Sequence, residues 1–201
     1  MVKPRSSFDR ARLQHRPDCS REVVLATSRR ACVKLRALPM IEPSMILPRY
    51  RIAASLIPGA GKGLFLAEEV ARGGLITAPD DIRKVYKWSE VHALPGAAAA
   101  LAATVRWFED RYTVTPEWPD ECYINHSFAP CGLWHLGFVF ALDNLPAGTE
   151  VTVDYRHLLA PGQEEDFRDA VSGAPIVGYD WRESMMRSTA QLQALFPADG
   201  T

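Results

Sequence analysis

Tyr123-Ile124-Asn125-His126-Ser127-Phe128-Ala129-Pro130 is the stretch on which the reading of the fold turns. It sets an Asn, a His and a Ser among large apolar residues. Cys122 precedes it, and Cys131 and His135 follow, giving a Cys/His array spaced x3, x4, x3. A zinc module of this size needs few apolar residues, because the metal supplies the folding energy. Tyr123, Ile124, Phe128, Leu133 and Trp134 instead promise a core of their own. Zinc held by Cys122, His126, Cys131 and His135 therefore stands only as an alternative. A Cys/His nucleophile pair lacks an evident orienting group.

Outward from this stretch, short apolar runs punctuated by Gly and Pro predict strands. They are Arg49 to Leu56, Leu64 to Ala67, Leu75 to Ala78, Leu136 to Leu142 and Glu150 to Tyr155. Val105 to Phe108 and Arg111 to Val114 predict a hairpin across Glu109-Asp110. Ser89 is the expected N-cap of a short helix through Leu94, and Ala97 to Thr104 has helix-forming composition. Pro161 to Asp169 reads as a polar loop. Arg182 to Phe196 reads as an amphipathic helix with Met185, Leu192 and Phe196 near one face. The expectation is a mainly β domain of short sheets with a few helices, one of them C-terminal.

Gly59-Ala60-Gly61-Lys62-Gly63 must be a loop at that glycine density. It is not a P-loop: Leu56 stands where the first Gly belongs, and Gly63 replaces the hydroxyl that holds Mg²⁺. It is not a dinucleotide fingerprint either, because Leu64-Phe65 leads into a strand. What remains is backbone that a compact polar ligand can approach closely.

The formal charge of −1 over 201 residues hides a split. Residues 1–50 carry 11 Lys and Arg against 4 Asp and Glu, a net of +7; residues 51–201 carry 12 against 20, a net of −8. Residues 1–45 read as a basic, disordered leader outside the fold, with a nucleic-acid arm or an organelle transit segment as alternatives. Met40 and Met45 are alternative starts to Met1. No apolar run approaches the roughly 20 residues that span a bilayer. The expected location is the cytoplasm, with nucleus and organelle as alternatives, and no membrane partner is expected. Nucleic acid is expected only through the leader.

Three motifs in order now carry a resemblance. Ser55-Leu56-Ile57-Pro58-Gly59-Ala60-Gly61-Lys62-Gly63-Leu64-Phe65, the Asn125-His126-Ser127 stretch, and Phe138 to Ala141 followed by Pro146-Ala147-Gly148-Thr149-Glu150-Val151-Thr152-Val153-Asp154-Tyr155 resemble those of SET-domain protein lysine methyltransferases. They cover roughly Arg49 to His157. The resemblance implies a SET-like β-clip fold of short sheets with knot-like threading. It assigns 46–160 to the SET domain and 161–201 to a C-terminal lid segment and helix. It further implies S-adenosylmethionine as cofactor and a lysine-presenting protein or peptide as substrate, with no metal. The backbone of Gly61, Lys62 and Gly63, the Asn125 side chain and the His126 backbone would meet the cofactor. Tyr155 matches the catalytic tyrosine, and Trp181 is the expected aromatic cover. Tyr123, Phe138, Val153 and Tyr179 are candidates for the lysine channel. Cys131 stands where the family often has Asn, and no Cys cluster follows Tyr155 to build a zinc-bound lid. A SET-fold module that binds the cofactor or a protein without catalysis is the rival reading.

Overall fold

The computed structural model describes residues 45–79, 84–96, 101, 103–115 and 118–196. The described residues form a mainly β body of short sheets closed by one long helix. The predicted leader, apart from residue 45, and most of the predicted 97–104 helix lie outside them.

Strand β1 (Tyr50–Ala54) pairs antiparallel with β2 (Lys62–Leu66), and the glycine loop turns between them. Gly63, Leu64, Phe65 and Leu66 are all buried, so β2 is covered on both faces and reads as a continuous apolar run. β3 (Leu75–Thr77) follows, and α1 (Trp88–His92) comes next. Ser89 is not its N-cap. The cap is Lys87, so the helix starts two residues earlier, and Glu90 reaches back to accept the Lys87 N–H at 2.7 Å. β4 (Thr104–Phe108) and β5 (Arg111–Val114) form the expected hairpin.

β6 (Asn125–His126) is followed by β7 (Gly132–His135) and β8 (Phe138–Ala141), which form a sheet ordered β3-β8-β7. The predicted Leu136–Leu142 strand therefore starts two residues late. Leu136 and Gly137 take positive φ of 51° and 89° and make the tight β7–β8 turn. β9 is only Thr152–Val153 and pairs parallel with β6, Asn125 opposite Thr152 and His126 opposite Val153. The six-residue strand expected here is cut short because Tyr155–His157 coil into a 3₁₀ turn.

The predicted 161–169 loop contains β10 (Glu164–Arg168), paired with β11 (Pro175–Val177). Charged residues masked its alternation, in which Glu165 and Phe167 turn inward. α2 (Trp181–Leu195) starts on Asp180, whose side chain accepts the Glu183 N–H at 2.8 Å. Arg72 donates to the Ala194 and Leu195 carbonyls at its end. Its buried residues are Ser184, Ser188 and Leu195, not the Met185-Leu192-Phe196 face; Phe196 is 54% exposed.

The principal core joins Leu64, Leu66, Ile76, Val139, Val151 and Val153 with Ile124 and Tyr155. Among the described residues no helix is long and apolar enough to cross a membrane.

Candidate functional site

The parallel β6–β9 pair brings the Asn-His stretch beside the Glu150–Tyr155 segment, and the β1–β2 loop closes on both. Asn125 is buried, and its Nδ2 donates to the Lys62 carbonyl at 3.1 Å, Glu150 Oε1 at 2.7 Å and Ser55 Oγ at 3.2 Å. The Glu150 carboxylate also accepts the Ser55 hydroxyl at 2.6 Å and the Leu56 N–H at 2.7 Å. Gly63 has no side chain because none fits: a Cβ there would meet the Glu150 carboxylate and the Asn125 amide. Gly61, at φ 75°, sits in the left-handed region that glycine tolerates.

His126 is buried between Phe128 and Tyr155, with ring centroids 4.7 and 5.3 Å away. Its Nδ1 accepts the Tyr155 backbone N–H at 3.1 Å. The ring proton must then sit on Nε2, 3.7 Å from Asp169 Oδ1 and without a hydrogen-bond partner among the described residues. Burial pushes the His126 pKa down to about 4, so the ring is neutral near pH 7. Burial also raises the Asp169 carboxyl, but hydrogen bonds from Ser172 and Phe128 outweigh it and hold the pKa below its usual value.

Tyr155 is buried, and its hydroxyl donates to the Ile124 carbonyl at 2.6 Å. Burial raises its pKa, so the phenol keeps its proton and is a donor and orienter rather than a base. Val153 is buried two residues before it, and Phe167 packs its ring 6.4 Å away. Lys62 Nζ lies over the half-buried Tyr123 ring at 5.8 Å.

The remaining predicted residues lie elsewhere. Phe138 is 37% exposed on β8, its ring beside Phe140, on the face opposite the buried Val139 and Ala141. Trp181 opens α2 and is half-buried. Tyr179 belongs to a cleft of about 290 Å³ lined by Phe128, Trp134, Asp154, Arg156, His157 and Arg187, among others. There the Arg156 guanidinium lies over Phe128 at 4.2 Å and Tyr179 at 4.7 Å, and pairs with Asp154 at 2.6 Å.

The Cys/His array does not converge. Cys131 Sγ faces the Thr152 N–H, His135 meets Ser188, His126 takes the Tyr155 N–H, and Cys122 lies 4.0 Å from the Thr115 hydroxyl. Among the described residues no group of three or more His, Cys, Asp or Glu is placed to hold a metal ion.

Ser55, Glu150 and Asp169 were not singled out in the sequence. Glu150 had a signal: Glu150, Thr152 and Asp154 alternate with the apolar Val151, Val153 and Tyr155, which makes a polar row on a strand's second face. Asp169 holds the nearby Val171 and Ser172 N–H groups and the Ser172 hydroxyl in a local turn, as an Asp in a loop commonly does, and its reach to the distant Phe128 N–H has no signal in the sequence. No protein-family model matches this chain, and no curated protein matches its sequence.

Proposed function

We propose that this chain is a small SET-domain methyltransferase that transfers a methyl group from S-adenosylmethionine to a lysine side chain of a protein. The observation that carries it is the meeting of three distant segments. The glycine loop reaches Asn125 through the Lys62 carbonyl, and Asn125 reaches Glu150. Tyr155 is held to the same stretch at both ends, through His126 Nδ1 and the Ile124 carbonyl.

The donor set fits the cofactor's polar end. Glu150 and the Lys62 carbonyl are acceptors suited to an ammonium, the side-chain-free Gly61 allows close approach, and Gly63 makes room for the Glu150 and Asn125 side chains themselves. Asn125 and the His126 backbone would complete the site. When bound, the cofactor supplies an electrophilic methyl on a sulfonium. The chain's own task is alignment and exclusion of water. An acceptor lysine must arrive neutral, and buried apolar surroundings such as Val153 lower its pKa from about 10.4. The Tyr155 phenol, protonated and donating to Ile124, keeps a lone pair for the amine. The net −8 of residues 51–201 steers a basic peptide toward this body.

The test is incubation with methyl-labelled S-adenosylmethionine and cell extract. Label on lysine of a discrete protein supports the reading. Cofactor-dependent thermal stabilisation without any labelled product moves the chain to the non-catalytic binding module.

A further inference from the structure

The 3₁₀ turn Tyr155–His157 sends its side chains to different parts of the molecule. Tyr155 reaches the Ile124 carbonyl, while His157 Nδ1 meets the Ser184 hydroxyl of α2 at 2.8 Å. His157 and Ser184 are both buried. One helical turn on, Ser188 makes a second such contact, to His135 Nδ1 at 2.9 Å. His135 lies on β7, outside the Tyr155–His157 turn. The helix is thus seated by two serine–histidine contacts, of which only one leads to Tyr155.

We infer that α2 positions the Tyr155 hydroxyl through the Ser184–His157 hydrogen bond, which makes Ser184 and His157 positioning residues. The inference rests on the reading of Tyr155 as the group at the transfer centre. The turn is short and closed on itself: the His157 N–H donates to the Asp154 carbonyl at 3.2 Å and the Leu158 N–H to the Tyr155 carbonyl at 2.8 Å, so its three residues move as one unit. Loss of the Ser184 hydroxyl leaves a buried ring nitrogen to find a new partner, and a shift of His157 toward one carries Tyr155 with it. A dry site tolerates little displacement of an aligning group.

The two serines supply their own control. Ser184→Ala and Ser188→Ala each remove one buried hydroxyl from the same helix. Carbon-13-labelled tyrosine rings, with Tyr155 assigned by its loss in Tyr155→Phe, report on the phenol without any turnover. The expected result is a shifted Tyr155 ring signal and a kcat lowered about tenfold in Ser184→Ala at unchanged cofactor KM. Ser188→Ala should move neither, and Ser184→Thr should restore both. If Ser184→Ala does not fold, Ser184→Cys carries the same comparison. Equal responses from the two serines, or a Tyr155 signal unmoved by Ser184→Ala, overturn the inference. A wild type that transfers no methyl defeats the reading of the reaction, while the ring signals still decide the coupling.

Discussion

Gly63 shows how a single residue ties the fold to the site. Its missing side chain is where the Glu150 carboxylate and the Asn125 amide lie, and these bridge the loop to the Asn-His stretch. Gly63→Ala should cost about 1–3 kcal/mol, as overpacking does, read as a lower urea midpoint at unchanged m-value. Stability equal to the wild type would mean that the carboxylate swings aside freely. The polar knot around Gly63 was half legible in the sequence. Asn125 and His126 announced themselves as polar residues among apolar neighbours. Ser55 gave no signal, because a serine before a turn is ordinary, and only the β1–β2 register brings it beside Glu150.

At the scale of elements, strands with clean apolar runs were legible: β1, β2, β3 and the β4–β5 hairpin lie where their patterns put them. Where tertiary contacts override pattern, the sequence misled. Leu136 belongs to an apolar run, yet Gly137 beside it lies so close to the Trp107 ring that a Cβ there would collide with it, and the chain turns at these two residues. The acidic β10 hid its alternation, and α2 buries serines where leucines would be expected because its partners are histidines. The β10–β11 hairpin depends on Asp169, whose carboxylate accepts N–H groups from Phe128, Val171 and Ser172. Asp169→Ala leaves those donors without their acceptor, at a cost of about 1–3 kcal/mol. Hydrogen exchange should speed up at Ser172 and Phe128 before it does in β2. Unchanged protection at both amides would contradict that role.

For the whole molecule, two buried neutral histidines tie stability to pH. Burial lowers both His126 and His157 to about 4, below the ordinary value near 6.5. Above pH 6.5 neither state binds the proton, so there is no penalty. As pH falls from 6.5 toward 4 the unfolded chain takes up protons that the folded chain refuses. Unfolding free energy then falls by up to about 3 kcal/mol per histidine. Denaturant titrations at pH 7 and pH 4.5 should show that loss; equal stability at the two would mean that the rings are solvated.

In the proposed function, Gly61 to Gly63, Asn125-His126 and Tyr155 form one methyl-transfer site. The most direct measurement is methyl transfer from labelled S-adenosylmethionine by the wild type and by Tyr155→Phe, beside the cofactor affinity of each. Labelled lysine is expected from the wild type, with a rate lowered at least about a hundredfold in Tyr155→Phe at unchanged cofactor affinity. Equal rates from the two proteins would contradict it.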